Sequence, residues 1–347
     1  MSKINLRVVL SSLAAISLGS LAAQAQATPL YHLVRIVPLG GAVKWDYLHF
    51  DAPSERLYIS HGTEVTVVNA KTDAILGELA GTTGSHGITV DPATGDVYAD
   101  SAAKRLAFAF DPKKFTPLAN MPVVLDADGM AYDPASKQIF VAGGDGNAIT
   151  PIDPASHKSL PDIALGGAPE FLAVDGAGSL YVNIEDKNEL VRIDTATNKI
   201  TARWSLNGCK SPKGLAIDSA ARRVFSSCSN GAMDVLNADT GALVATLPIG
   251  KGTDAAAFDP ARHRAFSSNG DGTLSVISDA APGSPVVLGT IKTAPGARTL
   301  AVDPATGQIF LVTAKVSKIL PATTPDGHPH DVFVPGSLRL LVYAPDA

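Results

Sequence analysis

The chain has 347 residues, of which 46% are hydrophobic and 18% are charged, and its mean hydropathy is +0.16. This composition excludes extended disorder and is typical of a protein with a large buried core. The formal net charge of −5, without any run of Lys or Arg, argues against a nucleic-acid-binding protein.

Residues 1–27 have the pattern of a secretory signal peptide. Lys3 and Arg7 precede a mostly apolar run, Val8 to Leu21, and small residues near Ala27 offer a cleavage site. The alternative is a membrane anchor, but the run has roughly 14 residues whereas a membrane span needs about 20. We therefore expect a periplasmic or secreted protein with no membrane span in the mature chain.

The mature chain, which we predict to be one domain over residues 28–347, contains seven copies of one unit. Each copy has an Asp at the end of a short apolar run and an aromatic residue six or seven positions later. The seven Asp residues, spaced by 40 to 44 positions, are Asp51, Asp91, Asp133, Asp175, Asp218, Asp259 and Asp303. The repeat predicts an all-β fold, a seven-bladed β-propeller with four-stranded antiparallel blades around an axial channel.

Each copy reads as four strands joined by turns. The first strand resembles Gly87–Val90, a turn such as 91–95 follows, and the second strand carries the aromatic. The third and fourth strands resemble Leu190–Ile193 and Leu243–Leu247. The last copy lacks a fourth strand, and residues His32–Val37, which precede the first copy, can supply it. We therefore expect the N-terminal strand to close the ring in the last blade.

A tetrapeptide that begins with the aromatic residue recurs in every copy. The seven are Tyr58–His61, Tyr98–Ser101, Phe140–Gly143, Tyr181–Ile184, Phe225–Cys228, Phe266–Asn269 and Phe310–Thr313. These repeats resemble those of the YncE-like family of secreted bacterial propellers, named for a Tyr-Val-Thr-Asn tetrapeptide. The resemblance covers essentially the whole mature chain and implies a binding scaffold without a shared reaction. Most copies depart from this tetrapeptide after the aromatic residue. The resemblance therefore does not imply that this chain binds a ligand through the Asn of the family motif.

The two cysteines form a disulfide-permissive pair in an exported chain. Cys209 precedes the first strand of blade 5, and Cys228 ends the second strand of that blade, so the antiparallel hairpin brings them together. We predict a structural disulfide. The alternatives are two buried thiols or a redox pair, although the sequence has no C-x-x-C spacing.

An ionisable residue lies five positions before each repeated Asp, where the first strand should leave the channel mouth. These seven residues, the mouth ring, are Asp46, His86, Asp128, Glu170, Lys213, Asp254 and Arg298. Side chains on so small a circle perturb one another and could hold a small polar ligand, a cation or a protein partner. The alternative is a solvated structural ring in which Lys213 and Arg298 neutralise Asp254 and Asp46.

The last copy carries an insertion, residues 315–336, between its second and third strands. Its candidate metal ligands are His328, His330 and Asp331. This loop should return to the mouth and could cover it. Zinc catalysis requires three protein ligands and an open position, so further ligands would have to come from His61 or His86. The alternative that we favour is a proline-rich surface loop with incidental His.

Enzyme signatures such as G-x-S-x-G and H-E-x-x-H do not occur in the sequence. We therefore favour an exported, non-catalytic binding propeller, expected to be a monomer. The alternative is a metal-assisted lactonase- or lyase-type enzyme. In that enzyme a ring carboxylate from Asp46, Asp128, Glu170 or Asp254 would hold a divalent metal ion, and His86 would be the general base.

Overall fold

The computed structural model describes residues 30–280, 283–321 and 330–346. The predicted signal peptide and His328 lie outside these residues. The described chain is all-β, apart from two short 3-10 turns, Ala102–Lys104 and Glu185–Lys187. None of its helices is long or apolar enough to cross a membrane.

Seven antiparallel sheets form the blades of a propeller, as the repeats predict. The first strands are Leu48–Asp51, Ile88–Val90, Ala127–Asp133, Pro169–Val174, Pro212–Asp218, Thr253–Asp259 and Leu300–Val302. The second strands are Arg56–His61, Val97–Ser101, Gln138–Gly143, Ser179–Ile184, Arg223–Cys228, Arg264–Asn269 and Ile309–Thr313. The third strands are Glu64–Asn69, Leu106–Phe110, Ala148–Asp153, Glu189–Asp194, Ala232–Asn237, Thr273–Ser278 and Arg339–Pro345.

The outer, fourth strands are more varied. In six blades they are Ile75–Ala80, Pro117–Pro122, Lys199–Ser205, Leu243–Pro248, Val286–Lys292 and, in blade 7, Tyr31–Pro38. In blade 3 the fourth strand is split into Lys158–Ser159 and Ile163–Ala164, with Pro161 between the two pieces. A proline has no N–H to donate to the neighbouring strand, which accounts for the interruption.

The repeated Asp residues act as turn formers at the end of each first strand. In blades 2 to 7 the Asp carboxylate accepts a hydrogen bond from the backbone N–H two residues later, as Asp91 does from Ala93 at 3.0 Å. In blade 1, Asp51 accepts from the Ser54 hydroxyl instead. These Asx turns explain the regular spacing of the Asp residues, so the repeat has a structural cause.

The repeated aromatic residues form the core between the stacked blades. All seven are at most 1% exposed, and they rank among the largest fully buried side chains. Each pairs directly with a residue of its first strand, as Phe225 does with Ala216 and Phe266 with Ala257. A large ring on the second strand therefore fills the space that small residues leave near the axis.

The two ends of the described chain meet in blade 7. Tyr31–Pro38 pairs antiparallel with Arg339–Pro345, and Tyr31 and Val37 are buried there. In blade 5 a disulfide joins Cys209 and Cys228, whose Cα atoms lie 5.4 Å apart, as the sequence predicts. Cys228 pairs with Pro212, which immediately precedes the ring residue Lys213.

Candidate functional site

In blades 3 to 6 the ring residue is the second residue of its first strand, and in blades 1, 2 and 7 it lies two residues before the strand begins. In blades 3 to 6 the pairing register shifts at the ring residue, for example between Ala127 and Met130 and between Thr253 and Ala255. Such β-bulges redirect side chains and are common next to active sites. All seven ring residues consequently line one pocket of about 370 Å³ at the channel mouth.

Small residues after the ring position let neighbouring first strands approach one another at the axis. A Cβ atom on Gly87 would overlap the carbonyl of Asp128, and one on Gly214 would overlap the backbone of Ala255. Only glycine avoids these overlaps. The ring side chains are therefore held on a narrow circle.

Hydrogen bonds between blades fix the backbone of the ring. Asn183 Nδ2 donates to the Lys213 carbonyl at 2.9 Å, and the Thr299 hydroxyl donates to the Asp46 carbonyl at 2.8 Å. Within blade 2, the Asp100 carboxylate accepts from the His86 backbone N–H at 2.7 Å. Because these bonds are made by the backbone, the side chains of the ring are free to face the pocket.

Three close ion pairs, with distances of 3.0 Å or less, link ring residues of adjacent blades. His86 Nδ1 lies 2.5 Å from Asp46 Oδ2, and Arg298 Nε lies 2.7 Å from Asp254 Oδ2. Lys213 Nζ lies 3.0 Å from Glu170 Oε1 and 2.8 Å from Glu185 Oε1. The partners are as follows: Asp46 with His86, Glu170 with Lys213, and Asp254 with Arg298.

Of the pairing expected for a purely structural ring, the structure has the ion pair between Arg298 and Asp254 but not the remainder. Lys213 contacts Glu170 rather than Asp254, and Asp46 contacts His86 rather than Arg298. The reason is geometric, because each ring base makes its closest contact with the carboxylate of the preceding blade and not with that of the following blade. The ring is also less solvated than expected, since the four carboxylate side chains are only 14% to 19% exposed.

Asp128 is the ring carboxylate without a close base. Among the described residues, its ion-pair partner is His86, whose Nδ1 is 3.6 Å away and already hydrogen-bonded to Asp46. Burial raises the pKa of Asp128 well above its usual range, and the charges of Glu170, Asp46 and Asp254 raise it further. Burial also raises the pKa of Glu170 to about 8 and that of Asp254 to about 6, although Lys213 and Arg298 oppose these shifts.

The imidazole of His86 is held in its charged form. Burial lowers its pKa, but the hydrogen bond and charge of Asp46 outweigh burial and bring the pKa to about 9. Asp100 is fully buried behind it, and burial raises the pKa of that carboxyl to about 8. His86 is therefore an imidazolium at neutral pH, which is the wrong protonation state for the general base expected of the enzyme alternative.

Two aromatic side chains block the axis on the inner side of the ring. Tyr47 and Phe171 follow the ring residues of blades 1 and 4, and their rings meet edge to face with centroids 4.8 Å apart. Blades 1 and 4 are not adjacent, so this contact crosses the channel. Burial and the surrounding carboxylates raise the pKa of Tyr47 well above its usual range, which keeps its hydroxyl neutral. A ligand would therefore enter the pocket from the mouth.

The insertion of blade 7 forms a hairpin beside the mouth. Its strands, Val316–Leu320 and His330–Phe333, pair with each other rather than with the blade. Asp331 lines a cleft together with Asp46 and His86. The structure does not describe the side chain of His330, so the metal site predicted on this loop remains a prediction.

The His61 side chain, expected as a possible further metal ligand, is already used elsewhere. Its Nδ1 is 2.9 Å from the Thr66 hydroxyl, and its Nε2 is 2.7 Å from the Ala42 carbonyl. Both ring nitrogens therefore have hydrogen-bond partners within blade 1 and the preceding loop.

Sequence reasoning missed several residues of the site. Tyr47 and Phe171 stand where other copies have Gly or another small residue, so an alignment of the copies could have revealed them. Asp100 occupies the third position of its tetrapeptide, where no other copy has a charge. Glu185 begins a 3-10 turn whose counterpart in blade 2, Ala102–Lys104, begins with an alanine, so the repeat gives no signal for a carboxylate there.

Comparison with known proteins supports the fold. No protein-family model matches the chain, and no curated protein matches its sequence. Among solved structures, hydrazine synthase of Kuenenia stuttgartiensis is similar, with a TM-score of 0.67 over 86% of this chain and 97% of that chain. The two sequences are 15% identical, so this likeness concerns the propeller fold alone.

Proposed function

We propose that this chain is an exported binding propeller whose mouth pocket holds a small polar ligand carrying a positive charge. The disulfide supports an oxidising compartment outside the cytoplasm. The resemblance of its repeats to those of the YncE-like family supports a scaffold role. The ligand would enter from the mouth, because Tyr47 and Phe171 meet across the axis.

The observation that carries this proposal is the excess of carboxylates in the ring. Each ring base has a carboxylate partner from an adjacent blade, and Asp128 is left over. One oxygen of Asp46 is also buried without a hydrogen-bond partner among the described residues. A bound cation would compensate both groups, and buried carboxylates are stable as anions only when so compensated.

A divalent metal ion is the second candidate ligand. Asp46, His86 and Asp128 each offer one ligand atom, and these atoms lie within 4.8 Å of one another. To bind a metal, His86 would have to lose its proton and exchange its contact with Asp46 for the metal. This competition favours an organic cation over a metal, and it disfavours the alternative of a metal-assisted lactonase or lyase.

The proposal can be tested by isothermal titration calorimetry of chelator-treated protein. Ethylamine serves as the organic cation, and Mn²⁺ and Zn²⁺ chlorides serve as the metal probes. We expect ethylamine to bind the wild-type protein and to bind Asp128→Asn at least about tenfold more weakly, because an isosteric amide removes the uncompensated charge. Glu55→Gln is the matched control, since Glu55 lies in the turn at the opposite end of a first strand and pairs with Lys71.

Three outcomes decide between the candidates. Loss of ethylamine binding in Asp128→Asn, with Glu55→Gln unchanged, supports the proposal. Stoichiometric metal binding that depends on Asp128, without binding of ethylamine, supports the metal candidate and overturns the organic cation. Equal binding of all probes to both variants would place the site elsewhere.

A further inference from the structure

A larger cleft continues from the mouth pocket towards the hairpin of blade 7. Its volume is about 890 Å³, and it shares Asp46, His86 and Arg298 with the mouth pocket. The mouth pocket alone, about 370 Å³, is near the lower end of the roughly 300 to 1,000 Å³ typical of ligand sites. The combined space therefore admits a ligand considerably larger than a simple cation.

One wall of this cleft is apolar and partly exposed. Trp45 and Phe333 pack edge to face with ring centroids 4.9 Å apart, and Ile319 of the hairpin also lines the cleft. Ile319 is 61% exposed, the largest value among the exposed large hydrophobic residues of the described chain. Phe333 is seated against Gly296, where a Cβ atom would lie 2.9 Å from its Cζ atom. The wall therefore has a fixed aromatic base and one open aliphatic side chain.

Three buried polar atoms on residues that line the cleft have no hydrogen-bond partner among the described residues. They are Trp45 Nε1, Asp46 Oδ1 and Ser85 Oγ. Ser85 is only 4% exposed, so bulk water does not satisfy its hydroxyl. Buried polar groups are normally paired, and an unpaired cluster at a cavity indicates a missing partner such as a ligand group or a bridging water.

The bases around the cleft do not favour an anionic ligand. Arg298 and His86, on the shared wall, are already paired with Asp254 and Asp46. Lys44 and Lys251 are exposed at the outer rim, where water screens their charge. The inner end of the cleft is therefore acidic, and its outer wall is apolar.

We infer that the cleft and the mouth pocket together bind an amphipathic organic cation, with its charged head at Asp46 and Asp128 and an apolar body against Trp45, Phe333 and Ile319. This inference rests on the proposed function for the head of the ligand, and it adds the body. A phenyl-sized body would bury apolar area against this wall and tighten binding roughly ten- to a hundredfold.

The test compares three probes by calorimetry on the full exported chain. Ethylamine presents only the head, 2-phenylethylamine presents head and body, and 2-phenylethanol presents only the body with a neutral end. We expect 2-phenylethylamine to bind at least about tenfold more tightly than ethylamine. Ile319→Ser should remove most of that gain without changing the binding of ethylamine, because Ile319 lines the cleft but not the mouth pocket.

Two further variants make the result specific. Ile75→Ser is the matched control, since Ile75 is an exposed isoleucine on the outer strand of blade 1, 48% exposed, and does not line the cleft. Phe333→Ala should also reduce the gain in affinity of 2-phenylethylamine over ethylamine. Because Phe333 packs at the base of the hairpin, this change also affects the hairpin itself, so Ile319→Ser is the deciding variant.

Fluorescence provides a second measurement. The emission of Trp45 in a Trp204→Phe background should shift with 2-phenylethylamine and not with ethylamine.

The outcomes separate the cleft from the proposed function. If both amines bind equally tightly, or if the gain survives in Ile319→Ser, the cleft inference is overturned and the cation site stands. If 2-phenylethanol binds as tightly as 2-phenylethylamine and ethylamine does not bind, the cationic head is wrong while the apolar wall is supported. If no probe binds at millimolar concentration, both are overturned.

Discussion

The two halves of the mouth ring differ in how their charges are balanced. In blades 4 to 7, Lys213 contacts two carboxylates and Arg298 contacts Asp254, so each acid has a strong base beside it. In blades 1 to 3, the only ring base is His86, which faces both Asp46 and Asp128. The carboxylates of blades 4 to 7, the compensated half, are therefore balanced by bases of the ring. In blades 1 to 3, the uncompensated half, one carboxylate is left without a close base.

This difference in charge balance distinguishes the part of the ring that stabilises the protein from the part that is available to a ligand. Ion pairs that satisfy each other contribute to the folded state and gain little from an added charge. A buried carboxylate without a partner costs stability, and natural proteins keep such groups at functional sites. We therefore propose that blades 1 to 3 bind the ligand and that blades 4 to 7 have a structural role.

The two halves meet where blade 7 joins blade 1, and opening this junction should have the largest effect. Deleting residues 30–38 removes the outer strand of blade 7, including the buried Tyr31 and Val37, and leaves Arg339–Pro345 as a free edge. A loss of several kcal/mol lowers the melting temperature of a chain this large by roughly 2 to 4 °C per kcal/mol. Scanning calorimetry measures the melting temperature, and an unchanged value would contradict closure of the ring by this strand.

The disulfide should affect the compensated half more than the uncompensated half. Replacing Cys209 and Cys228 together by Ser removes a cross-link next to Lys213 and should cost about 3 kcal/mol of unfolding free energy in urea. Ethylamine affinity at Asp128 should stay within about twofold of wild type, because blade 5 lies outside the uncompensated half. A large loss of affinity with little loss of stability would reverse the assignment of the halves.

Removing Lys213, one of the two bases of the compensated half, should be the next most damaging change. Lys213→Met leaves Glu170 and Glu185 without the ammonium that both contact, and we expect a loss of about 2 kcal/mol in urea unfolding at pH 7. Lys187→Met removes an exposed lysine from the nearby 3-10 turn and should change stability by less than about 0.5 kcal/mol. Similar effects of the two changes would mean that the Lys213 pairs are not structural.

The pH dependence of stability tests the raised carboxylate pKa values. Glu170 and Asp254, with pKa values of about 8 and about 6, keep protons in the folded chain that they have lost in the unfolded chain. His86, with a pKa of about 9, acts in the same direction, since its stabilisation is complete below pH 6.5 and is lost as pH rises through 9. The free energy of unfolding should therefore fall between about pH 4 and pH 9, by about 1.4 kcal/mol per pH unit for each extra proton bound.

Two variants divide this slope between the groups. Glu170→Gln should flatten it mainly between about pH 4.5 and pH 8, and Asp254→Asn mainly between about pH 4 and pH 6. Glu55→Gln should leave the slope unchanged. Stability that rises with pH over this range would show that the ring carboxylates are not protonated in the folded chain.

Much of the fold could be predicted from the sequence, because each blade repeats the same local signals. The Asx turn at Asp91 and the buried aromatic at Tyr98 recur at nearly constant spacing, and both have local causes. The ring positions were predicted for the same reason, since each lies five residues before its Asp. The split fourth strand of blade 3 was not predicted, although Pro161 signals it.

The pairing within the ring could not be predicted from the repeat. Whether Lys213 contacts Glu170 or Asp254 depends on distances across the mouth, which the repeat does not specify. The same is true of Tyr47 and Phe171, which meet across the channel from blades 1 and 4, and of Phe333, which reaches Trp45 from the hairpin. Contacts between distant segments depend on the closed ring and not on local sequence.

The most direct test of the account is the unfolding free energy of Asp128→Asn, measured in urea at pH 8 with and without saturating ethylamine. Without ethylamine, we predict that the variant is more stable than wild type by up to about 1 kcal/mol, because at this pH the folded chain must either keep the Asp128 carboxyl protonated or bury it ionised without a base, and both cost stability. With ethylamine, wild type should gain stability by mass action and the variant should not. A variant that is less stable than wild type and still gains stability from ethylamine would contradict the assignment of binding to blades 1 to 3.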